Sequence, residues 1–173
     1  SVNALTADLI RVDRAPEPTP PDPSLPTPEA TPFQLPDLPV AIEIGEIRAG
    51  RIELGEPLIG REAVLSLNGA VKLADGALDS RLAAARLDAP GDRLQLEAGY
   101  ANESRQITLD MQIEESADGL LATALQLPGR PSLQFSAQGT GPVEDFTADI
   151  RLATNGTDRL TGQVVLAAQA QDD

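Results

Sequence analysis

"DRLQLEAGYANESRQITLDMQIEE", Asp92 to Glu115, decides the fold class. Leu94, Leu96, Ala98 and Tyr100 share one parity, and Ile107, Leu109, Met111 and Ile113 share the next apolar parity. Polar or small residues take the alternate places, and "ANES" between the two runs supplies a turn. Side chains of a strand point alternately to its two faces, so this is a hairpin with one apolar and one wetted face.

The same period of two extends outward on both sides. Toward the N-terminus, Leu65, Leu67, Gly69, Val71 and Leu73 alternate strictly. "ADG" at 74–76 then reads as a tight turn, and Leu78, Leu82 and Ala84 continue until the phase slips near Leu87. Further upstream, Val40, Ile42 and Ile44, then Ile52 and Leu54, form shorter runs, which Gly-Glu-Pro separates from the Leu65–Leu73 strand. Toward the C-terminus, strands resume with Leu133, Phe135 and Ala137, then Phe146, Ala148, Ile150 and Leu152, then Leu160, Val164, Leu166 and Ala168. "GTGPVED" and "TNGTDR" are the expected turns between them.

Two stretches break the pattern. In "SADGLLATALQLPGRP", Leu120, Leu121, Ala124, Leu125 and Leu127 follow helical spacing, which predicts one short helix near 118–127. Ser116 or Asp118 is the expected cap, and Pro128-Gly129 the stop. Ten of the fifteen prolines lie between Pro16 and Pro39. Proline removes backbone donors and favours extended chain, so residues 15–39 read as a linker. It divides a leading strand, residues 1–14, from a β body, residues 40–173. The chain begins directly on an alternating pattern, as expected of a piece cut from a longer protein. The expected architecture is mostly β: an elongated, curled, antiparallel sheet of nine or ten strands.

Composition narrows the chemistry. The formal charge of −14 repels phosphate backbones and anionic headgroups, so nucleic acid is not an expected partner. The 173 residues include no histidine and no cysteine, which excludes Ser-His-Asp and Cys-His machinery, imidazole or thiolate metal sites and disulfides within this chain. Glu43 and Glu53 are expected on solvent faces and Glu114-Glu115 in a turn, as structural charges and not catalytic acids. "DGALD" and "APGD" lack the ligand density of a calcium loop, and no phosphate-binding glycine motif is present. No catalytic residue, metal site, cofactor or enzymatic activity is expected. Neither a signal peptide nor an apolar run long enough to span a bilayer is present in the sequence.

What remains is the apolar face. Burying a Leu or Ile is worth about 1.5–3 kcal/mol, so several per strand cannot be left in water. A second sheet, a neighbouring chain or a ligand could cover them. Aromatic residues are 2% of the chain, so few rings exist to bridge the ~10 Å between packed sheets. A curled sheet would instead present an aliphatic trough suited to acyl chains, which need no aimed polar contacts. The expected lining is Leu65, Leu67, Val71, Leu73, Leu78, Leu82, Leu94, Leu96, Tyr100, Ile107, Leu109, Met111 and Ile113. Leu133, Phe135, Phe146, Ile150, Leu152, Leu160, Val164 and Leu166 extend it.

The segments "LPVAIEIGEIRAGRIELGEPLIGREAVLSLNGAVKLADGALDSRL" and "LPGRPSLQFSAQGTGPVEDFTADIRLATNGTDRLTG" resemble internal parts of the TamB family. These are translocation and assembly module proteins of Gram-negative bacteria, similar to AsmA-like and bridge-like lipid-transfer proteins. The resemblance runs from Leu38 to about Leu166 and rests on strand pattern and on phrases such as "IELGEPLIG" and "LPGRP". It implies a periplasmic rod with a taco-shaped β groove, anchored in the inner membrane when full length. The implied role is phospholipid transport toward the outer membrane, with assembly of β-barrel clients alongside the partner TamA through regions outside this chain. Two other readings of the residues stay open: a chaperone that engages outer-membrane strands by β-augmentation, and a closed-core structural β domain.

Overall fold

The computed structural model describes residues 2–14 and 42–167; the proposed linker, 15–39, lies outside the described residues. The elements are β1 (Leu5–Ala7), β2 (Ile10–Val12), β3 (Ile42–Leu54), α1 (Glu56–Ile59), β4 (Ala63–Ala74), β5 (Ala77–Arg86) and β6 (Arg93–Ala101). They continue as β7 (Gln106–Glu115), α2 (Leu120–Ala124), β8 (Leu133–Pro142), β9 (Asp145–Thr154) and β10 (Thr157–Ala167). All ten strands belong to one open, curled sheet in the order β1-β3-β4-β5-β6-β7-β8-β9-β10, with β2 also paired to β3.

From β3 onward every neighbour is antiparallel, and turn chemistry explains why. Asp75-Gly76 and Asn155-Gly156 each place two successive residues at positive φ (51° and 66°, 49° and 73°). That is the two-residue hairpin geometry matching strand twist, which Asp-Gly and Asn-Gly adopt most readily. "GTG", expected in a turn, is instead the end of β8, and only Val143-Glu144 separates β8 from β9.

The leading segment pairs with β3 in parallel. Leu5 lies opposite Ile47, Ala7 opposite Ala49, Ile10 opposite Ile52 and Val12 opposite Leu54. A parallel pair requires a crossover of about a dozen residues or more, and 29 residues separate Val12 from Ile42. β3 itself is one strand of 13 residues where the pattern suggested two short runs. Its pairing with β4 shifts between Ile44 and Ile47 and again between Ala49 and Ile52. Each extra residue flips the parity, which brings Ile44, Ile47, Ala49, Ile52 and Leu54 to the same face. Gly45 lies in the first shift, where a Cβ would sit 3.0 Å from the Asn3 carbonyl oxygen; at Gly55 the corresponding approach, to Asp13, is 2.7 Å. Side chains there would push the leading segment off the sheet.

The two helices occupy connections at the same end of the strands. α1 joins β3 to β4 where an interruption was expected, so the described residues hold two short helices where one was expected. α2 is shorter than the predicted 118–127 and is capped by neither Ser116 nor Asp118. Gly119 is its N-cap residue, and the Glu115 carboxylate accepts the orphan N–H groups of Leu121 and Ala122. Glu114 and Glu115 accordingly end β7 and do not lie in a turn.

Candidate functional site

Cross-strand register assembles the apolar face row by row, because directly paired residues project to the same side. One row runs Leu5, Ile47, Gly69, Leu82, Leu96, Met111, Ala137, Ile150, Gly162. A second runs Ala7, Ala49, Leu67, Ala84, Leu94, Ile113, Phe135, Leu152, Leu160, and a third Val2, Ile44, Val71, Ser80, Ala98, Leu109, Gly139, Ala148, Val164. None of the three contains a charge. The single hydroxyl, on Ser80, donates to the Ala98 carbonyl at 3.1 Å. Leu73, Leu78, Tyr100 and Ile107 form a shorter row at one end of the strands, and Leu65 and Leu133 lie toward the other. Phe146 stands opposite Leu166.

Every residue predicted to line the groove therefore lies on this one face. Sequence reading assigned residues 1–14 to the groove as its leading strand without naming their partner, and it missed Ile47 and Ala49. The signal was present: a glycine inside a strand pattern often marks a bulge, and Gly45 and Gly50 sit at the two parity changes.

No second layer of the described residues covers the face. The buried apolar residues are mostly alanines, with Tyr100, Leu133 and Phe146, and no large side chain is fully sealed. Leucines of the central strands are half-buried, whereas Leu5 and Leu160 on the two outermost described strands keep 55% and 50% of their surface. Eight strand-to-strand steps give the face a length of about 38 Å.

The opposite face is polar. Arg93 pairs with Glu114, Arg81 with Glu97, and Arg151 with Asp158, while Asp110 and Asp149 accept from Gln138 and Gln163. Glu43 is exposed opposite Lys72. Glu53 lies below its ordinary pKa because Arg51 and Arg11 donate to it. Such exposed pairs contribute little stability and leave the side wetted.

Charge enters the apolar face only near the helix-bearing end. Arg86, with its side chain 2% exposed, donates to Asp88 through Nε and Nη2 at 3.0 Å and to Asp92 through Nη1 at 3.0 Å. Asp92 also accepts from the Ser116 backbone, which ties the α2 connection to the sheet. Arg61 donates to the Asp118 carbonyl at 2.9 Å, joining the α1 connection to that of α2. No sequence pattern marked this cluster, since its burial depends on how two distant connections meet.

The Asp88 carboxyl is held down to about 2, chiefly by the hydrogen bonds from Arg86, against partial desolvation. A folded value below the unfolded one stabilises the fold above about pH 4, and this contribution is lost as pH falls toward about 2. After screening at its partly exposed position it amounts to about 1–2 kcal/mol. Urea midpoints at pH 5 and pH 2.5 should therefore differ more for the natural chain than for Asp88→Asn; equal differences would remove Asp88 from the acid response.

Among the described residues no group of three or more carboxylates is arranged to hold a metal ion, and no helix is long and apolar enough to cross a membrane. No protein-family model matches the chain, and neither the curated proteins nor the solved structures contain a significant match to it.

Proposed function

We propose that this chain is an internal segment of a TamB-like cell-envelope protein whose apolar groove shelters or conducts phospholipid acyl chains between the inner and outer membranes. It serves outer-membrane biogenesis without catalysis. In this reading the segment lies in the periplasm, and anchoring, TamA and β-barrel clients engage other parts of the whole protein. One observation carries the proposal: three uncharged rows cross the sheet from Val2, Leu5 and Ala7 to β10, with no described layer over them. Each methylene moved from water into such a trough gains about 0.8 kcal/mol and needs no directed hydrogen bond. A length of about 38 Å exceeds the roughly 15 Å of one leaflet's hydrocarbon, so the face holds more than one tail end to end.

Native mass spectrometry of the purified segment tests the reading. Adducts with phospholipid masses are expected on the folded protein, and their absence after mild extraction from envelope membranes would count against it.

One observation favours the chaperone reading. Among the described residues β10, 11 residues long, pairs on one side only and exposes Leu160, Val164, Val165 and Leu166. A long apolar edge is a template for strand addition. Crosslinks from β10 to unfolded barrel strands, with no lipid adduct, would support that reading over lipid conduction.

A further inference from the structure

The sheet's apolar face has a local recess where α2 leans over β4 to β7. It is a bay of about 220 Å³ whose apolar walls include Leu65, Ala84, Leu94, Ile113, Leu120 and Leu121. The bay is open to solvent and has room for roughly seven water-sized groups.

Its charged neighbours are already engaged with one another. Arg86 is held by Asp88 and Asp92. Glu115 is held by the first N–H groups of α2, and Arg93 by Glu114. Among the described residues no buried side-chain nitrogen or oxygen lacks a hydrogen-bond partner. The bay thus has no unsatisfied buried polar group to recognise a headgroup, and a polar group placed against its apolar walls would lose its own hydration without replacement.

We propose that this bay is an end site for a hydrocarbon chain: it takes the terminal methyl and adjoining methylenes of one tail, with the polar end directed away from α2. The proposal rests on the groove reading and adds to it a fixed place and a fixed orientation. Its source is the recess between α2 and strands β4 to β7, not the periodic pattern of the strands.

The chain contains no tryptophan, so single introduced reporters are free of background. Leu121→Trp reports the bay, and Leu73→Trp reports the far end of the strands. The probe is nonanol brominated either on its terminal carbon or beside its hydroxyl, bromine being a short-range quencher. The terminally brominated isomer is expected to quench Leu121→Trp strongly and the other isomer weakly. Affinity across terminally brominated alkanols should rise about fourfold per added methylene. Adding Ala84→Phe to fill the bay should abolish quenching at Leu121→Trp and leave the response at Leu73→Trp, which also reports that the sheet is intact. Quenching at Leu73→Trp without quenching at Leu121→Trp overturns the end site and leaves the groove reading standing. Equal quenching of Leu121→Trp by the two isomers overturns the orientation and with it the proposal. Silence at both reporters overturns the end site and the groove together.

Discussion

Leu96→Arg combined with Leu109→Glu is expected to empty the groove while the sheet stays folded. Leu96 stands opposite Met111, and Leu109 opposite Ala98, so the two replaced positions are diagonal neighbours on adjacent strands of the apolar face. In a sealed core, two new charges would each demand several kcal/mol of desolvation, and the protein would unfold. On an open face, long charged side chains keep their heads in water and lay their stems along the apolar surface. A diagonal separation of roughly 7–8 Å also lets the opposite charges meet. The expected cost is about 1–3 kcal/mol of stability, whereas an acyl chain lying across β6 and β7 would lose its apolar bed. Lipid adducts on the purified segment should fall at least tenfold, and transport by the full-length protein should stop. A folded double mutant that carries and moves lipid as before would rule the groove out. One that cannot fold would point to a closed interior.

That discrimination exists because the sequence specifies the face but not its cover. The period of two along Leu65 to Leu73, and along the Leu94–Tyr100 and Ile107–Ile113 hairpin, was enough to place side chains on one side. Gly-containing turns at Asp75-Gly76 and Asn155-Gly156 were enough to make their neighbours antiparallel. Each of these is a local rule, and each is read within about ten residues. Whether a second layer packs on the face depends on contacts between segments far apart in the chain, and alternation carries no information about them.

The features that escaped sequence reading share a cause. The parity changes in β3 come from two added residues, and their glycine signals read as ordinary strand interruptions until the register with β4 is known. The leading segment's partner could not be read because parallel pairing joins residues about forty positions apart. Glu115 falls on the apolar parity of Ile107 to Ile113 and Glu114 on the wetted one, yet a charge at the end of the run reads only as the end of the strand. Only the arrival of α2 turns one of the two into a buried cap. Arg86 is the strongest case: it occupies an apolar-parity position opposite Leu65, where pattern alone would call for an aliphatic residue.

Removing the partner of that arginine is expected to be the most damaging single change to stability. Asp92→Ala deletes an acceptor whose two oxygens hold Arg86 Nη1 and the Ser116 N–H, each at 3.0 Å, in a side chain 8% exposed. Breaking a buried pair from one side costs about 3–5 kcal/mol, because the remaining charge keeps its desolvation without its compensation. Asp88 still engages Arg86, which places the expected loss near the lower end, about 3 kcal/mol. Loss of the Ser116 contact should also free the connection that carries α2, so amide exchange in 116–124 should accelerate beyond what global destabilisation explains. The compensating test is Arg86→Met with Asp92→Ala. With both charges gone, the position opposite Leu65 becomes apolar like the rows beside it, and a well-packed hydrophobic replacement of a buried ion pair is often neutral or stabilising. The double variant should therefore recover part of the denaturant midpoint lost by Asp92→Ala, short by what Asp88 loses with its Arg86 partner, while exchange in 116–124 stays fast because the Ser116 N–H remains unpaired. Recovery of stability with α2 still loosened would separate the two tasks of Asp92, neutralising a charge on the apolar face and fastening the helix over it. A double variant as unstable as Asp92→Ala alone would show that the uncompensated charge is not what destabilises the fold.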